Sequence, residues 1–210
     1  MSETMTRLTS EDMKALIGAM QTVIAENAGR LTELDQAIGD GDHGINMKRG
    51  FDAIAADADV ICAKPLPQAI SAAGMKLVMS VGGASGPLFG TLFMTLGKSL
   101  PEDFDRNQFA DAFAKAVAAV AARGKSEAGQ KTMLDVLYPV GEALASGKSA
   151  EEIVAVASDA ADATIPMEAK RGRASFLGER SIGHMDPGSC SCKLLVETVA
   201  AWISEKEQAA

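Results

Sequence analysis

The sequence predicts an all-α protein, and its patterning and composition both support that class. Apolar residues recur every three or four positions along most of the chain, which is the period of an amphipathic helix. Aromatic residues make up only 4% of the chain, whereas alanine, methionine and leucine are abundant, and this balance favours packed helices over β-sandwiches. No stretch of four to eight residues alternates cleanly between apolar and polar side chains, so strands have little support.

The apolar faces place the predicted helices along the chain. The first helix is expected to begin at Ser10, which is followed by acidic residues, and to end at Gly29. Asp105 and Ser149 are expected to start two later helices, because short polar side chains cap helix starts. The methionine and leucine stripes are interpreted as helix core and not as a cofactor-binding motif. Later helices are predicted within residues 67–78, 88–96, 105–120, 133–144, 149–160 and 193–203.

Length and charge limit the possible functions. A chain of 210 residues can form one domain with a substantial core, and we predict a single domain over residues 1–210. The formal net charge of −8 would repel a nucleic-acid backbone, so nucleic-acid binding is not expected as the main function. For the same reason, a polyphosphate ligand would need cations or backbone N–H groups aimed at it.

Cysteine usage and the N-terminal segment predict a cytoplasmic protein. The three cysteines are odd in number and lack disulfide-type spacing, and Cys190 and Cys192 are interpreted as small packing residues. The N-terminal segment has no basic head followed by an apolar run, so no signal peptide is predicted. No apolar stretch is long enough to cross a bilayer, so no membrane association is expected.

Four connections between the predicted helices are rich in glycine and polar residues. They cover residues 38–44, 81–90, 123–129 and 170–188. Elaborate loops held by a rigid scaffold are where function tends to be located. If the helices run antiparallel, alternate loops would lie at the same end of the bundle.

The first of these segments, LDQAIGDGDHGINMKRG, carries Asp35, Asp40 and Asp42 with glycines between them. Glycine allows a tight turn, and three carboxylates in such a turn would repel one another unless they shared a hard divalent cation such as Mg²⁺. A calcium-hand loop starting at Asp40 is excluded, because Phe51 stands where the twelfth-position glutamate is required. An Asx-turn loop, in which the aspartates cap backbone N–H groups, remains an alternative.

The second segment, VGGASGPLFGT, combines a glycine-rich turn with a helix expected to start near Pro87. Backbone N–H groups at a helix start form an anion site, and Ser85 adds a hydroxyl group. The segment is not a P-loop, because GxxxxGK[ST] is absent, and it is not a dinucleotide fingerprint, because no strand precedes it. An ordinary turn remains the alternative.

The third segment, GRASFLGERSIGHMDPGS, places Arg173, Arg180 and His184 among glycines. Arginine offers planar donors suited to phosphate or to a neighbouring carboxylate. The alternative is a surface loop with salt bridges, which contribute little to stability.

A hydrolase triad could be assembled on paper from Ser85, His43 and Asp42. The chain lacks a GxSxG elbow, and the Asp-Gly-Asp next to the base suits a metal ion better. Together, the three segments supply an acidic turn, a glycine anion site and a basic clamp.

Four motifs of the chain resemble the nucleotide-binding L subunit, or L domain, of dihydroxyacetone kinases. They are LDQAIGDGDHGINMKRG, GGASGPLFGT, GQKTMLDVLYPV and GRASFLGERSIGHMDPGS, and they span most of the chain, from Leu34 to Ser189. The departures are mild: Phe89 and Phe176 stand where tyrosine is usual in the family, and Ser189 stands where alanine is usual.

The resemblance implies an antiparallel eight-helix up-and-down barrel with the nucleotide at one end. It further implies that Asp35, Asp40 and Asp42 bind two Mg²⁺ ions beside ADP or ATP. It assigns no catalytic residue within this chain. The implied nucleotide-binding residues are His43, Gly44, Ile45, Asn46, Ala84, Ser85, Leu88, Gly124, Met133, Arg180, Asp186, Pro187 and Gly188.

The resemblance also implies phosphoryl transfer to a small ketose held by a separate sugar-binding subunit, to which nothing in this chain corresponds. In one kind of bacterial enzyme, bound ADP is recharged by a phosphocarrier subunit of the phosphotransferase system, and this chain looks like that kind. The alternatives are an ATP-dependent kinase subunit for a four-carbon ketose, a nucleotide-loaded module that binds a transcription factor, and a helical binder of lipids or carboxylic acids.

Overall fold

The structure is a computed structural model that describes residues 8–209, with side chains up to residue 206. In this part of the chain, all regular secondary structure is helical. The ends of the predicted domain lie outside that range. Within it, eight long helices are joined by the short α3 and by a 3₁₀ helix at Arg173–Ser181. The all-α prediction is confirmed. The α-helices are α1 Ser10–Ile38, α2 His43–Ala56, α3 Ala58–Cys62, α4 Leu66–Ser80, α5 Ser85–Ser99, α6 Arg106–Gly124, α7 Leu134–Ala145, α8 Ala150–Ala163 and α9 Pro187–Ala209.

The eight long helices of the described chain form a closed ring. Each packs against the next, α2 packs against α4 past the short α3, and α9 returns to pack against α1. Most connections between neighbouring helices are short, which makes those neighbours antiparallel, and a longer connection joins α8 to α9. Their apolar faces meet inside the ring, where Ile24, Leu31, Phe51, Leu77 and Val117 are buried in one continuous core. The predicted eight-helix up-and-down barrel is confirmed.

Polar caps start three of the helices close to where the sequence predicts. Asp105 and Ser149 are the N-caps of α6 and α8, and each forms a reciprocal capping box with the residue three positions later. The first helix has the same arrangement and begins at Ser10, as predicted, with Thr9 as its N-cap. Such caps contribute about 1 kcal/mol each.

The prediction that the first helix ends at Gly29 is wrong. The helix continues to Ile38, because Leu31 and Ile38 lie on its buried face and their burial outweighs the cost of one interior glycine, about 0.5–1 kcal/mol. Gly29 is exposed and has open space around its Cα.

The predicted helices also leave out α2, whose first residues were assigned to a glycine-rich connection. Gly44 instead allows α2 to pack closely against α1, since a Cβ at that position would lie 2.0 Å from the Ala28 carbonyl oxygen. Phe51 and Met47 anchor the buried face of α2.

The four glycine-rich connections lie at one end of the barrel, which we call the loop-rich end. They join α1 to α2, α4 to α5, α6 to α7, and α8 to α9. Contacts between them confirm the placement: Asp40 pairs with Arg173, His43 contacts Ser85, and the Lys170 N–H donates to the Gln130 carbonyl.

No helix within the described residues combines the length and apolar character needed to cross a membrane. All three cysteines are free and buried, as the sequence predicts for packing residues.

Asp186 organises the start of α9. Its carboxylate accepts the Ser189 N–H at 2.7 Å, and its own N–H donates to the Thr164 hydroxyl at 3.0 Å. Burial raises the pKa of the Asp186 carboxyl to about 7, with the negative charge of Asp135 acting in the same direction. A carboxyl group therefore caps this helix while carrying only part of a charge at neutral pH.

We expect Gly29→Ala to raise the free energy of unfolding by about 0.5–1 kcal/mol, because alanine is the better helix former in an open interior position. Gly44→Ala should lower it by several kcal/mol, because the added methyl group meets backbone. Urea unfolding measures both. A destabilised Gly29→Ala protein would show that α1 does not continue through Gly29.

The Asp186 carboxyl makes stability depend on pH. Its pKa is higher in the folded protein than its usual 3.8, so its contribution is complete below about pH 4 and is lost as the pH rises through about 7. Asp186→Asn keeps the cap without this loss. The stability of the variant relative to the wild type should therefore increase by roughly 4 kcal/mol between pH 4 and pH 8. Urea unfolding across this range checks it, and Asp159→Asn, an exposed position on α8, should show no such trend.

Candidate functional site

Three aspartates converge at the loop-rich end. Asp35 lies in the last turn of α1, Asp40 lies in the following loop, and Asp42 is the N-cap of α2. One carboxylate oxygen from each lies within 4.8 Å of the others, with Asp35 buried and the other two exposed. The sequence predicted this trio, and the fold brings its three side chains to a common centre.

Glycines make this convergence possible. Gly41 has a φ of +75°, a left-handed conformation that glycine adopts readily. A Cβ on Gly39 would lie 2.1 Å from Asp35 Oδ1, so a side chain there would displace that carboxylate.

The alternative of an Asx-turn loop, in which the aspartates cap backbone N–H groups, holds for one member of the trio. Asp35 Oδ2 accepts the N–H groups of Asp42 at 2.9 Å and His43 at 3.1 Å, and so it caps α2. Asp40 pairs with Arg173 at 3.0 Å. Capping uses one oxygen of one aspartate, and the exposed carboxylates of Asp40 and Asp42 stand beside it. A clustered set of oxygen donors fits a hard cation such as Mg²⁺.

His43 connects the acidic turn to the glycine-rich turn. Its buried ring places Nδ1 2.9 Å from Ser85 Oγ and Nε2 2.8 Å from Ser191 Oγ. Ser191 donates its own hydroxyl to the Pro187 carbonyl at 3.1 Å. The network therefore assigns the ring proton to Nε2, with Ser191 as its acceptor, and leaves Nδ1 to accept from Ser85.

The environment of His43 favours the neutral imidazole. Burial lowers the pKa of His43, while the negative charges of Asp35 and Asp42 act in the opposite direction. A hydrolase triad is not formed, because the second ring nitrogen contacts the Ser191 hydroxyl and not a carboxylate.

The glycine-rich turn leads into α5 two residues earlier than predicted, at Ser85. Gly83 has a φ of +63°, and a Cβ on Gly86 would lie 2.3 Å from the Val81 carbonyl oxygen, so the turn folds tightly. Ala84 is the N-cap and provides no capping side chain. The first N–H groups of α5 therefore receive no cap from that side chain, as an anion site requires.

Four of the other predicted nucleotide-binding residues form two neighbouring pairs, Leu88 with Gly124 and Met133 with Gly188, and Asn46 lies beside Gly82. Asn46 is buried against Gly82, since a Cβ on that glycine would lie 3.1 Å from Asn46 Oδ1. A Cβ on Gly124 would lie 3.4 Å from Leu88 Cδ2.

The remaining predicted residues lie at the start of α9 or are exposed at the loop-rich end. Gly188 packs against Met133, with a distance of 3.4 Å from its hypothetical Cβ to Met133 Cβ, and Pro187 begins α9. Ile45 and Arg180 are exposed at the loop-rich end, as is His184.

Two polar residues of this end were not singled out by the sequence analysis. Ser191, between two cysteines, contacts His43, and Lys131 is buried with its ammonium among backbone carbonyls. Lys131 lies in the motif GQKTMLDVLYPV, but neither role could be read from local pattern, because the partners lie 148 and up to 50 positions away along the chain.

Comparison with known proteins gives the same family from sequence and the same fold from structure. The DAK2 domain family matches residues 37–201. The ADP-binding subunit of the PEP-dependent dihydroxyacetone kinase of Escherichia coli (strain K12) is 41% identical over 180 residues, covering 81% of this chain and 86% of that protein. The corresponding subunit of kinase 1 of Listeria innocua is 43% identical over 173 residues, covering 82% and 86%.

Solved structures share the fold. The dihydroxyacetone kinase of C. freundii in its native form superposes with a TM-score of 0.76 at 22% identity, covering 96% of this chain and 36% of that chain. Its complex with AMP-PNP and Mg²⁺ gives 0.75 at 21% identity, covering 93% and 34%. The present chain thus spans about a third of the solved chain.

The motifs at the loop-rich end, the matched domain and the relatives of similar length agree. The chain belongs to the DAK2 domain family, which includes the nucleotide-binding L subunits of dihydroxyacetone kinases.

Proposed function

We propose that this chain is the nucleotide-binding subunit of a dihydroxyacetone-type kinase. ATP, either bound as such or formed from bound ADP by a phosphocarrier, would pass its terminal phosphoryl group to a small ketose held by a partner sugar-binding subunit and leave ADP. The observation that carries the proposal is the junction at His43. Its ring joins Ser85, at the uncapped start of α5, to a helix whose first turn is organised by the aspartate trio. A site for cations and a site for phosphate are thereby adjacent.

Asp35, Asp40 and Asp42 would hold the metal, with two Mg²⁺ ions expected. A divalent cation neutralises phosphate charge and so favours phosphoryl transfer. The protein contributes fixed positions: Asp35 is held by two backbone N–H groups, so its charge stays in place without a ligand.

Ser85, Ala84 and the first N–H groups of α5 would bind the phosphates. Neutral His43 accepts a hydrogen bond from the Ser85 hydroxyl and fixes the orientation of that side chain, so Ser85 would offer the phosphates its backbone N–H. Asn46 lies beside the glycine turn and adds an amide donor close to the same place.

The nucleoside would lie between the apolar pairs at the mouth of the barrel, formed by Leu88 with Gly124 and by Met133 with Gly188. Gly44 and Ile45 would complete the contacts in the first turn of α2, and Asp186 with Pro187 would close the site from the start of α9. Arg180 would provide a positive charge above the phosphates.

The partners follow from the relatives. The similar proteins of E. coli and L. innocua are described as ADP-binding subunits of PEP-dependent kinases, and one of Lactococcus lactis, 38% identical over 187 residues, as a subunit of a PTS-dependent kinase. This supports a phosphocarrier subunit as donor and a cytoplasmic location. We assign no general base in this chain, which leaves that role to the sugar-binding partner.

A four-carbon ketose is a second candidate substrate. The L-erythrulose 1-kinase of Mycolicibacterium smegmatis is 32% identical over 201 residues, covering 90% of this chain and 35% of that protein. The substrate would be selected by the partner subunit, so this chain is compatible with both ketoses.

Calorimetry tests the metal assignment. Asp40→Ala should weaken ADP binding in the presence of Mg²⁺ by at least about tenfold, because one oxygen ligand is lost. With EDTA in place of Mg²⁺, variant and wild type should bind ADP equally weakly. Asp111→Ala removes an exposed carboxylate from α6 and should change neither value. Unchanged affinity of Asp40→Ala in Mg²⁺ would contradict the assignment.

Reconstitution tests the activity. The purified chain, a sugar-binding subunit of a related kinase and a phosphorylated phosphocarrier should together convert dihydroxyacetone to its phosphate, and omission of any one should stop the reaction. Replacing the phosphocarrier with ATP identifies the donor, and replacing dihydroxyacetone with erythrulose identifies the ketose. Stable binding of ADP without turnover in every combination would argue against the kinase role.

A further inference from the structure

Lys131 is a buried lysine that the proposed function does not use. Only 1% of it is exposed, and it lies just before α7 in the connection from α6. Its Nζ donates to three backbone carbonyls, those of Ser181 at 2.7 Å, Met167 at 3.0 Å and Ile165 at 3.4 Å. An ammonium group has three protons, so each can be directed at one of these oxygens.

The three carbonyls come from the two ends of one loop. We call residues 168–181, which carry both Arg173 and Arg180, the arginine loop. Ile165 and Met167 precede it, and Ser181 is its last residue. We call the place where residues 165–169 meet residues 181–183 the neck of this loop. Two further hydrogen bonds cross the neck: the Ala169 N–H donates to Ser181 Oγ at 2.8 Å, and the Gly183 N–H donates to the Ile165 carbonyl at 2.8 Å. Lys131 reaches this neck from a different connection.

Placing an ammonium group here is costly. Burial lowers the pKa of Lys131, which the negative charge of Asp186 opposes, and the backbone of Lys131 has a φ of +59°. A left-handed conformation is unfavourable in a residue other than glycine. The hydrogen bonds from Nζ to the three carbonyls offset this cost.

The residues on either side of Lys131 extend the same contact. The Gln130 carbonyl accepts the Lys170 N–H at 3.1 Å, and the Thr132 carbonyl accepts the Ser189 hydroxyl at 2.8 Å. The connection before α7 thus contacts the arginine loop at Lys170 and the first turn of α9 at Ser189. From that loop, Arg173 reaches Asp40 of the aspartate trio at 3.0 Å.

We propose that Lys131 is a positioning residue: by clasping the neck of the arginine loop, it holds Arg173 at the aspartate trio and slows nucleotide release. The part that concerns nucleotide rests on the proposed function. The clasp itself rests on the three carbonyl contacts alone.

Hydrogen exchange of the nucleotide-free protein tests the clasp. In Lys131→Met, amides of residues 168–183 should exchange at least about tenfold faster than in the wild type, while those of α1 and α4 keep their rates. Lys125→Met is the matched control, because Lys125 lies in the same connection with a φ of +48° but is exposed. It should leave exchange of the arginine loop unchanged.

Two outcomes of that experiment overturn the inference. Unchanged exchange of the arginine loop in Lys131→Met would mean that the neck is closed without the lysine. An equal rise in α1, α4 and the loop would mean that Lys131 contributes only to global stability.

Release kinetics test the consequence. In Lys131→Met, Mg-ADP should dissociate at least about tenfold faster, with the association rate within about threefold of the wild type. An unchanged dissociation rate despite faster loop exchange would overturn the link to nucleotide retention. If the wild type itself binds no ADP, the proposed function fails, and the exchange experiment still decides the clasp.

A measurement on the wild type covers the case in which Lys131→Met does not fold. Trace labelling with acetic anhydride, read by mass spectrometry, should acylate Lys131 at least about tenfold more slowly than Lys125, because its Nζ is enclosed and hydrogen bonded. Equal reactivity would overturn the inference.

Discussion

The arrangement of the site depends on the hydrogen bonds that the Asp35 carboxylate accepts. This carboxylate accepts two backbone N–H groups at the start of α2, and so it fixes where one helix ends and the next begins. Because Asp40 and Asp42 lie between these points, their distance from Asp35 is set by the same contact. The contact also directs His43 into the barrel, where it meets Ser85. A carboxylate at a helix N-terminus is also favourable because it faces the positive end of the helix dipole.

Around this contact, three buried or half-buried polar side chains of the loop-rich end differ in their charge and in their partners. The imidazole of His43 is kept neutral between two hydroxyl groups, the ammonium of Lys131 is surrounded by carbonyls, and the raised pKa of Asp186 leaves it only partly charged at neutral pH. The carboxylates of Asp40 and Asp42 are exposed beside Asp35. In a chain with a net charge of −8, cations held by this trio would reduce the repulsion of a polyphosphate at the proposed site.

Local patterns in the sequence predicted the fold class, most helix starts and the aspartate trio, because each depends on residues close together in the chain. Asp105 and Ser149 cap their helices within three residues, and the trio occupies a single glycine turn. The errors at Gly29 and over α2 have one cause. Glycine was taken as a stop signal, whereas Gly29 is carried by the packing of Leu31 and Ile38, and Gly44 provides room for a neighbouring helix. The roles of Ser191 and Lys131 depend on distant partners and were not predictable from local pattern.

The close approach at Gly44 has a consequence for how the site responds to a ligand. With α1 and α2 in backbone contact at this point, neither helix can slide or rotate against the other without a clash. The start of α2 is therefore held against α1, which would reduce the conformational freedom lost when a cation binds at the proposed site. A site held in this way would also discriminate against cations of the wrong size, because it could not expand to fit them. The missing side chain of Gly44 would thus contribute to ion selectivity.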